Sequence, residues 1–573
     1  VNIKRIERAA MTAAFFMRKF YGVSTDTETG VCFTCDGAMM AWRHWASARR
    51  SVPPQESFMS SSSLPSPQNP APQVTTRLGI IAGFEKEGVH CFRGIPYAQA
   101  LHGLERIRAP EPALAWNGVF EATQWAPAAP QEEIPLMGVG VIGDNCLALN
   151  VWRPAEMKEP LPVMVWIHGG GFITGSSNQS LYDASALARE NGVIVVSINY
   201  RLGILGFGEW SAWPELGGVS NAGLRDQLLA LQWVQDHIAA FGGNPGKVTV
   251  FGESAGGMSI ACLLASPLAT GLFQRAIIQS GSPDHVVVSS EARRMTQRFA
   301  EAAGGDVKAC LEGELAGITK AQRQCFATTV NRGEHKQPVP QFGMTLMPMM
   351  GDDVLPRHPL LAAQAGVDME IPLLLGTTKD EWNLFYLAPQ AMGNGPARPE
   401  PDIARIQHEF ERTLPGRGQE MLSHYQALLP GAAGSEVFCA YETDRMFRIP
   451  TLRLAEARFK LSAPTYHYLF DWPCAWNRQL KSCHVMEVPF VFGIIDKPSG
   501  QFFTGGGEAA RQLSRQIRAA WTAFAKGGVP AAENWPEWLP YREPERASLM
   551  IGAETIREND PEQARRLLWN GVI

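Results

Sequence analysis

The sequence predicts an α/β protein: a central, mostly parallel sheet flanked by helices. Leu161–Ile167 is a continuous apolar run that suits a strand buried on both faces, and Val193–Asn199 and Ile371–Leu375 read as further buried strands. Leu224, Leu228, Leu231, Val234 and Ile238 repeat at the spacing of one helical face. Runs of the two kinds alternate along the chain, as they do where helices cross over between parallel strands. With 573 residues, 45% of them hydrophobic, the chain can bury a large core. No internal repeat is present.

Residues 1–73 differ from the rest. Ser51–Gln73 is rich in Ser, Pro and Gln, and such composition buries too little apolar surface to repay ordering. This extension is expected to be disordered or extraneous. Ala9–Phe20 is weakly signal-like, but its apolar part is short and interrupted, and no clean small-residue cleavage site follows. The preferred reading makes Met59 the natural start, with extraneous or read-through sequence before it. A cytoplasmic protein is then expected; secretion follows only if the segment is a genuine export signal.

Order is expected from Val74, and 74–573 is taken as one catalytic domain. Val74–Phe84 and Val89–Phe92 read as strands joined through Glu85-Lys86-Glu87-Gly88. Leu161–Ile167 delivers the chain into His168-Gly169-Gly170-Gly171-Phe172. After the helix Leu224–Phe241, a strand Lys247–Phe251 leads into Gly252-Glu253-Ser254-Ala255-Gly256, and a helix-capable run Gly257–Leu264 follows. Ala276–Gln279 is the next strand. Residues 283–370 and 387–460 are irregular and helix-rich, as insertions around an active-site gorge would be. Between them Ile371–Leu375 runs into Gly376-Thr377-Thr378-Lys379-Asp380-Glu381. Thr465–Phe470 is a strand, His484 follows in a loop, and Arg511–Lys526 is the closing helix.

Composition excludes several classes. A net charge of −5 offers nothing basic enough for nucleic acid. No apolar run reaches the length of a membrane span, so no stable membrane insertion is expected. Ten cysteines in so long a chain do not make a disulfide framework. Cys32 and Cys35 form a lone C-x-x-C without the second pair of a zinc site, and Cys310 and Cys325 are a pairing the sequence leaves open.

The chemistry centres on Ser254. Strand, G-x-S-x-G and helix in that order form a nucleophile elbow, which lifts the serine hydroxyl out of the sheet. A serine hydroxyl needs a base beside it, and the base needs an orienting acid. In such a sheet the chain order is serine, acid, histidine. Four histidines lie beyond Glu381: His408, His424, His467 and His484. His408 and His424 sit in charged helical surroundings, and His467 alternates with Tyr466 and Tyr468 in a strand. His484, in a loop after a strand, is the candidate base. For the acid, Glu381 and its neighbour Asp380 both follow a buried strand, and spacing leaves both open. Gly170 and Gly171, with Ala255 beside the nucleophile, are the candidate N–H donors of an oxyanion hole. No metal or cofactor is called for.

With these parts in place, the chain from Val74 onward resembles the type B carboxylesterases, the α/β-hydrolase family that includes the cholinesterases. The matching motifs include Phe92-Arg93-Gly94-Ile95-Pro96-Tyr97-Ala98, Cys146-Leu147-Ala148-Leu149-Asn150-Val151, His168-Gly169-Gly170-Gly171-Phe172 and Asn221-Ala222-Gly223-Leu224-Arg225-Asp226-Gln227. They continue through Phe241-Gly242-Gly243-Asn244-Pro245, Phe251 to Gly257, Lys379-Asp380-Glu381 and His484 to Gly493. The resemblance implies Ser254 as nucleophile, Glu381 rather than Asp380 as acid, His484 as base, and Ser280 as support for Glu381. It implies a serine carboxylesterase acting on a small-molecule ester through an acyl-enzyme. A lipase, a polyester hydrolase or a carbamate hydrolase would use the same triad, and a non-catalytic adhesion module can share the fold.

The chain also departs from the family pattern. Trp382 and Val485 stand where glycine is common, Cys483 precedes His484, and the usual Asp-Gly is reversed as Gly351-Asp352. The disulfide partner expected for the Cys146 position is replaced by Ala128-Ala129-Pro130, which favours a bacterial-type, disulfide-free protein. Met344, Met347, Met349 and Met350 are expected first in core packing and second in an adaptable pocket wall. Substrate and oligomeric state are not legible.

Overall fold

The apolar runs become the centre of an eleven-stranded sheet. Its strands, in chain order, are β1 Phe84–Lys86, β2 Val89–Pro96, β3 Ala148–Pro154, β4 Leu161–Ile167, β5 Ile194–Ile198, β6 Gly243–Glu253, β7 Arg275–Gln279, β8 Leu373–Thr378, β9 Thr465–Asp471, β10 Ala547–Gly552 and β11 Ile556–Asn559. The helices that concern the site are α1 Ala222–His237, α2 Ala255–Leu264, α3 Trp382–Ala391, α4 Gly434–Thr443, α5 Ile449–Ala457, α6 Val488–Phe492 and α7 Gly507–Gly527. The computed structural model describes residues 71–134, 137–331, 344, 346–366, 370–391, 401 and 403–572. The expectations for Ala9–Phe20, Cys32, Cys35 and Met59 lie outside the described residues.

Across the sheet the strands run β1-β2-β3-β5-β4-β6-β7-β8-β9-β10-β11. From β5 to β10 every neighbouring pair is parallel, and the pairs outside that block are antiparallel. The mostly parallel sheet flanked by helices is therefore the observed architecture.

Strand alternation sends successive side chains to opposite faces. In β4, Val163, Val165 and Ile167 enter one buried cluster, while Met164 and Trp166 enter the other. The first cluster takes apolar residues of α1, α2 and α5, and the second takes those of α6 and α7. Both faces are covered, which is why β4 reads as an unbroken apolar run.

Boundaries moved where local chemistry intervened. The expected strand Val74–Phe84 divides into Gln73–Thr76 and Gly79–Ala82, ahead of β1. Thr76 Oγ1 accepts from Leu78 N at 3.2 Å and donates to Gly79 O at 3.0 Å, closing a turn inside the run. The strand expected over Ile371–Leu375 runs later, to Thr378, because its last residues pair with Leu469 and Phe470 of β9. No disulfide joins Cys310 to Cys325, so the pairing left open by the sequence is not made. Met347 and Met349 are buried, and Met344 and Met350 pack against the core, as ordinary core packing expects.

One buried ion pair joins α1 to the chain beyond β5. Arg201 and Asp226 have fully buried side chains, 2.6 Å apart at Nη2 and Oδ1. Arg201 also donates from Nη1 to the carbonyls of Arg106 and Arg108, at 3.1 and 2.6 Å. Burying a guanidinium is costly unless its donors are matched, and here they are.

Candidate active site

β6 ends at Glu253 and α2 begins at Ala255, so Ser254 alone makes the turn between them. Its backbone has a positive φ of 56°, with ψ −126°. A non-glycine residue there is strained, and such strain accompanies a nucleophile elbow. Two hydrogen bonds hold the turn: Ser254 N to Gln279 O at 2.9 Å, and Met258 N to Ser254 O at 2.8 Å. Gly256 is required by close approach, since a Cβ there would lie 1.9 Å from the carbonyl oxygen of Ile167.

The glycine loop after β4 sits against this turn. A Cβ on Gly169 would lie 3.0 Å from Cβ of Ser254. Gly170 and Gly171 follow with φ of 115° and 61°, conformations that glycine adopts without strain. Gly169, next in sequence to the candidate donors, thus packs against the turn that carries Ser254.

Glu381 is fully buried at the carboxyl end of β8. Oε1 accepts from the Ser280 hydroxyl at 2.6 Å and from Thr378 N at 2.7 Å. Oε2 lies 2.5 Å from Nδ1 of His484. Asp380, the competing acid, points elsewhere: its Oδ2 accepts from Ser482 N at 3.3 Å, and its own N donates to Ser482 O at 2.9 Å. Asp380 therefore tethers the loop that carries His484.

The other histidines fall out as the sequence suggested. His408 and His424 are exposed on helices. His467 is buried in β9 with Nδ1 2.8 Å from Ser548 Oγ.

Nε2 of His484 lies 3.0 Å from Oε1 of Glu253, yet neither atom makes an aligned hydrogen bond among the described residues. Among the described residues Nε2 of His484 therefore makes no hydrogen bond to Ser254. Catalytic hydrogen bonds of this kind often close only when substrate binds.

Three buried carboxylates, Glu253, Glu381 and Glu487, share this small space. Burial pushes Glu253 up to about 8, helped by Glu487 and Glu381. Glu487 is pushed up to about 7 by burial and then by Glu381. Burial alone would lower His484, but Glu253 and Glu381 outweigh it and raise the imidazole to about 9. Like charges this close cannot all be ionised, so near neutral pH protons stay among these groups, and an ionised Glu253 favours the charged imidazole.

Sequence reasoning missed several of these neighbours. Glu253 was visible as the variable residue of the elbow motif, but nothing in the motif places it against His484. Phe447 lies in a π turn, Asp444–Arg448, between α4 and α5. Its ring centroid is 4.9 Å from that of His484, and Phe385 of α3 lies 5.0 Å away on the same imidazole. Trp382, standing where glycine is common, donates N–H to Thr443 Oγ1 at 3.0 Å and packs on Phe385. Val485 holds φ 68°, the left-handed backbone that explains why glycine is common there.

The carboxylesterase family's sequence profile matches residues 70–569. The chain belongs to the carboxylesterase family. It is 36% identical over 505 residues to the para-nitrobenzyl esterase of Bacillus subtilis, covering 86% of this chain and 97% of that protein. Phenmedipham hydrolase of Pseudarthrobacter oxydans is 32% identical over 502 residues, covering 84% of this chain and 95% of that one. A solved para-nitrobenzyl esterase structure superposes with a TM-score of 0.74 at 36% identity, covering 86% of this chain and 99% of its own. A Geobacillus stearothermophilus carboxylesterase superposes with a TM-score of 0.75 at 34% identity, covering 87% and 99%. The fold is that of the α/β-hydrolases, and the protein is a carboxylic ester hydrolase that acts on small-molecule esters. Among the described residues no helix is long and apolar enough to cross a membrane.

Proposed function

We propose that Ser254 is the nucleophile of this carboxylesterase, His484 its general base and Glu381 the acid that orients the base. The 2.5 Å contact between Glu381 Oε2 and His484 Nδ1 carries the assignment. Nδ1 is thereby fixed as the donor, which leaves Nε2 free to take the Ser254 proton. The serine oxygen attacks the ester carbonyl, and the N–H groups of Gly170, Gly171 and Ala255 receive the oxyanion. His484 then protonates the departing alcohol. In the second half it takes a proton from water, which hydrolyses the acyl-enzyme. Ser280 positions Glu381 through its hydroxyl.

The catalytic unit takes in 74–573. Unbridged thiols at Cys91, Cys146, Cys262, Cys310, Cys474 and Cys483 support a cytoplasmic setting. Ser254→Ala tests the assignment with a p-nitrophenyl ester: burst and turnover should both vanish, and near-native turnover would overturn it.

A further inference from the structure

His285 has no part in the mechanism above, and its surroundings leave it without work. Residues 280–285 leave the carboxyl end of β7, the edge of the sheet where Ser280 meets Glu381. His285 is 1% exposed, and neither ring nitrogen makes a hydrogen bond among the described residues. Three other buried histidines differ. His168, His467 and His484 each engage Nδ1, with Gly169 O, Ser548 Oγ and Glu381 Oε2.

Burial, reinforced by Arg445 and His484, pushes the His285 imidazole down to about 3, so it is neutral throughout the working range. A neutral imidazole always offers one donor and one acceptor. Leaving both idle in a buried place is costly unless something else meets them.

The position says what that is. The His285 ring stacks on Phe447 at 6.3 Å and 29°, and the same Phe447 ring packs on His484 at 4.9 Å. One phenylalanine therefore separates the idle imidazole from the base. Nε2 of His484 is buried and idle in the same way, and on the proposed mechanism its partner is a reacting group.

We propose that His285 is a specificity residue, which hydrogen-bonds a polar group of the ester other than the reacting carboxyl. It selects esters that carry a hydroxyl or carbonyl within the acyl or the alcohol part. Phe447 supplies the apolar surface between that contact and the reacting centre. The inference rests on Ser254 and His484 being the reacting pair.

Two matched substrate sets test it on the full-length enzyme by pH-stat. The acyl set compares ethyl 3-hydroxybutyrate and ethyl acetoacetate with ethyl butyrate. The alcohol set compares 2-hydroxyethyl acetate with propyl acetate. In one set the wild type should favour the polar member. His285→Phe, which keeps an aromatic ring without nitrogens, should lose about tenfold of that kcat/KM ratio. The set that responds identifies which side of the ester His285 meets. Ratios unchanged within about twofold in both sets would overturn the proposal, even if the variant is less stable, because His285 would then only fill space. Should His285→Phe not fold, His285→Asn and His285→Gln take its place. They present an amide near different ring nitrogens, so at least one should shift the ratio, and wild-type ratios in both would overturn the proposal. An unaltered preference in an active enzyme is distinct from failure of the triad, which shows instead as turnover by Ser254→Ala.

Discussion

Glu381 and His484 meet at 2.5 Å across 103 residues of sequence. The meeting depends on two tethers. Thr378 N and Ser280 Oγ hold one carboxylate oxygen, and Asp380 holds the strand of loop that delivers the histidine. The placing of the imidazole therefore depends on Ser280, Thr378 and Asp380.

Ser280→Ala isolates one of those tethers. Thr378 N still holds Oε1, so the acid should stay near its place but with more freedom. kcat should fall about tenfold with KM nearly unchanged, the signature of an effect on the transition state alone. Steady-state kinetics on a p-nitrophenyl ester reads it, and a rise in KM at constant kcat would speak against positioning.

Glu253→Gln separates the charge of Glu253 from its shape. An ionised Glu253 favours the imidazolium and raises His484. The base must be neutral, so activity appears as pH rises through the His484 pKa. Glutamine carries no charge and cannot raise that pKa. The acidic limb of the kcat/KM profile should therefore move to lower pH, by about 1–3 units. A limb that stays in place, or moves up, would mean that another group controls it.

Asp226→Ala probes the scaffold rather than the chemistry. It strands the fully buried guanidinium of Arg201, whose Nε and Nη2 both donate to Asp226. Loss of one partner of a buried pair costs about 3–5 kcal/mol. The denaturant midpoint should drop accordingly, while the fraction still folded keeps its KM. A change within 0.5 kcal/mol, the usual range for an unimportant surface site, would contradict the pairing.

Much of the fold was legible because its signals are local. Leu161–Ile167 was recognised to the residue, since a strand buried on both faces is apolar throughout. Ser254 was legible through the elbow, where steric needs restrict the sequence. Glu381 against Asp380 was not decided by spacing, because both follow the same strand; the resemblance chose Glu381, and the structure brings it to His484. Phe447 was illegible: a π turn shifts its register, and no periodicity records that. Glu253 and His285 were illegible for a related reason, since their significance lies in partners distant in sequence.

The central claim is that Ser254 carries the acyl group, and phosphorylation of that hydroxyl tests it most directly. Diethyl p-nitrophenyl phosphate should release one equivalent of p-nitrophenolate per chain and leave its diethylphosphoryl group on the peptide containing Ser254. His484→Ala should slow that reaction by orders of magnitude, and Ser254→Ala should abolish it. An adduct on another residue, or equal labelling of Ser254→Ala, would contradict the account.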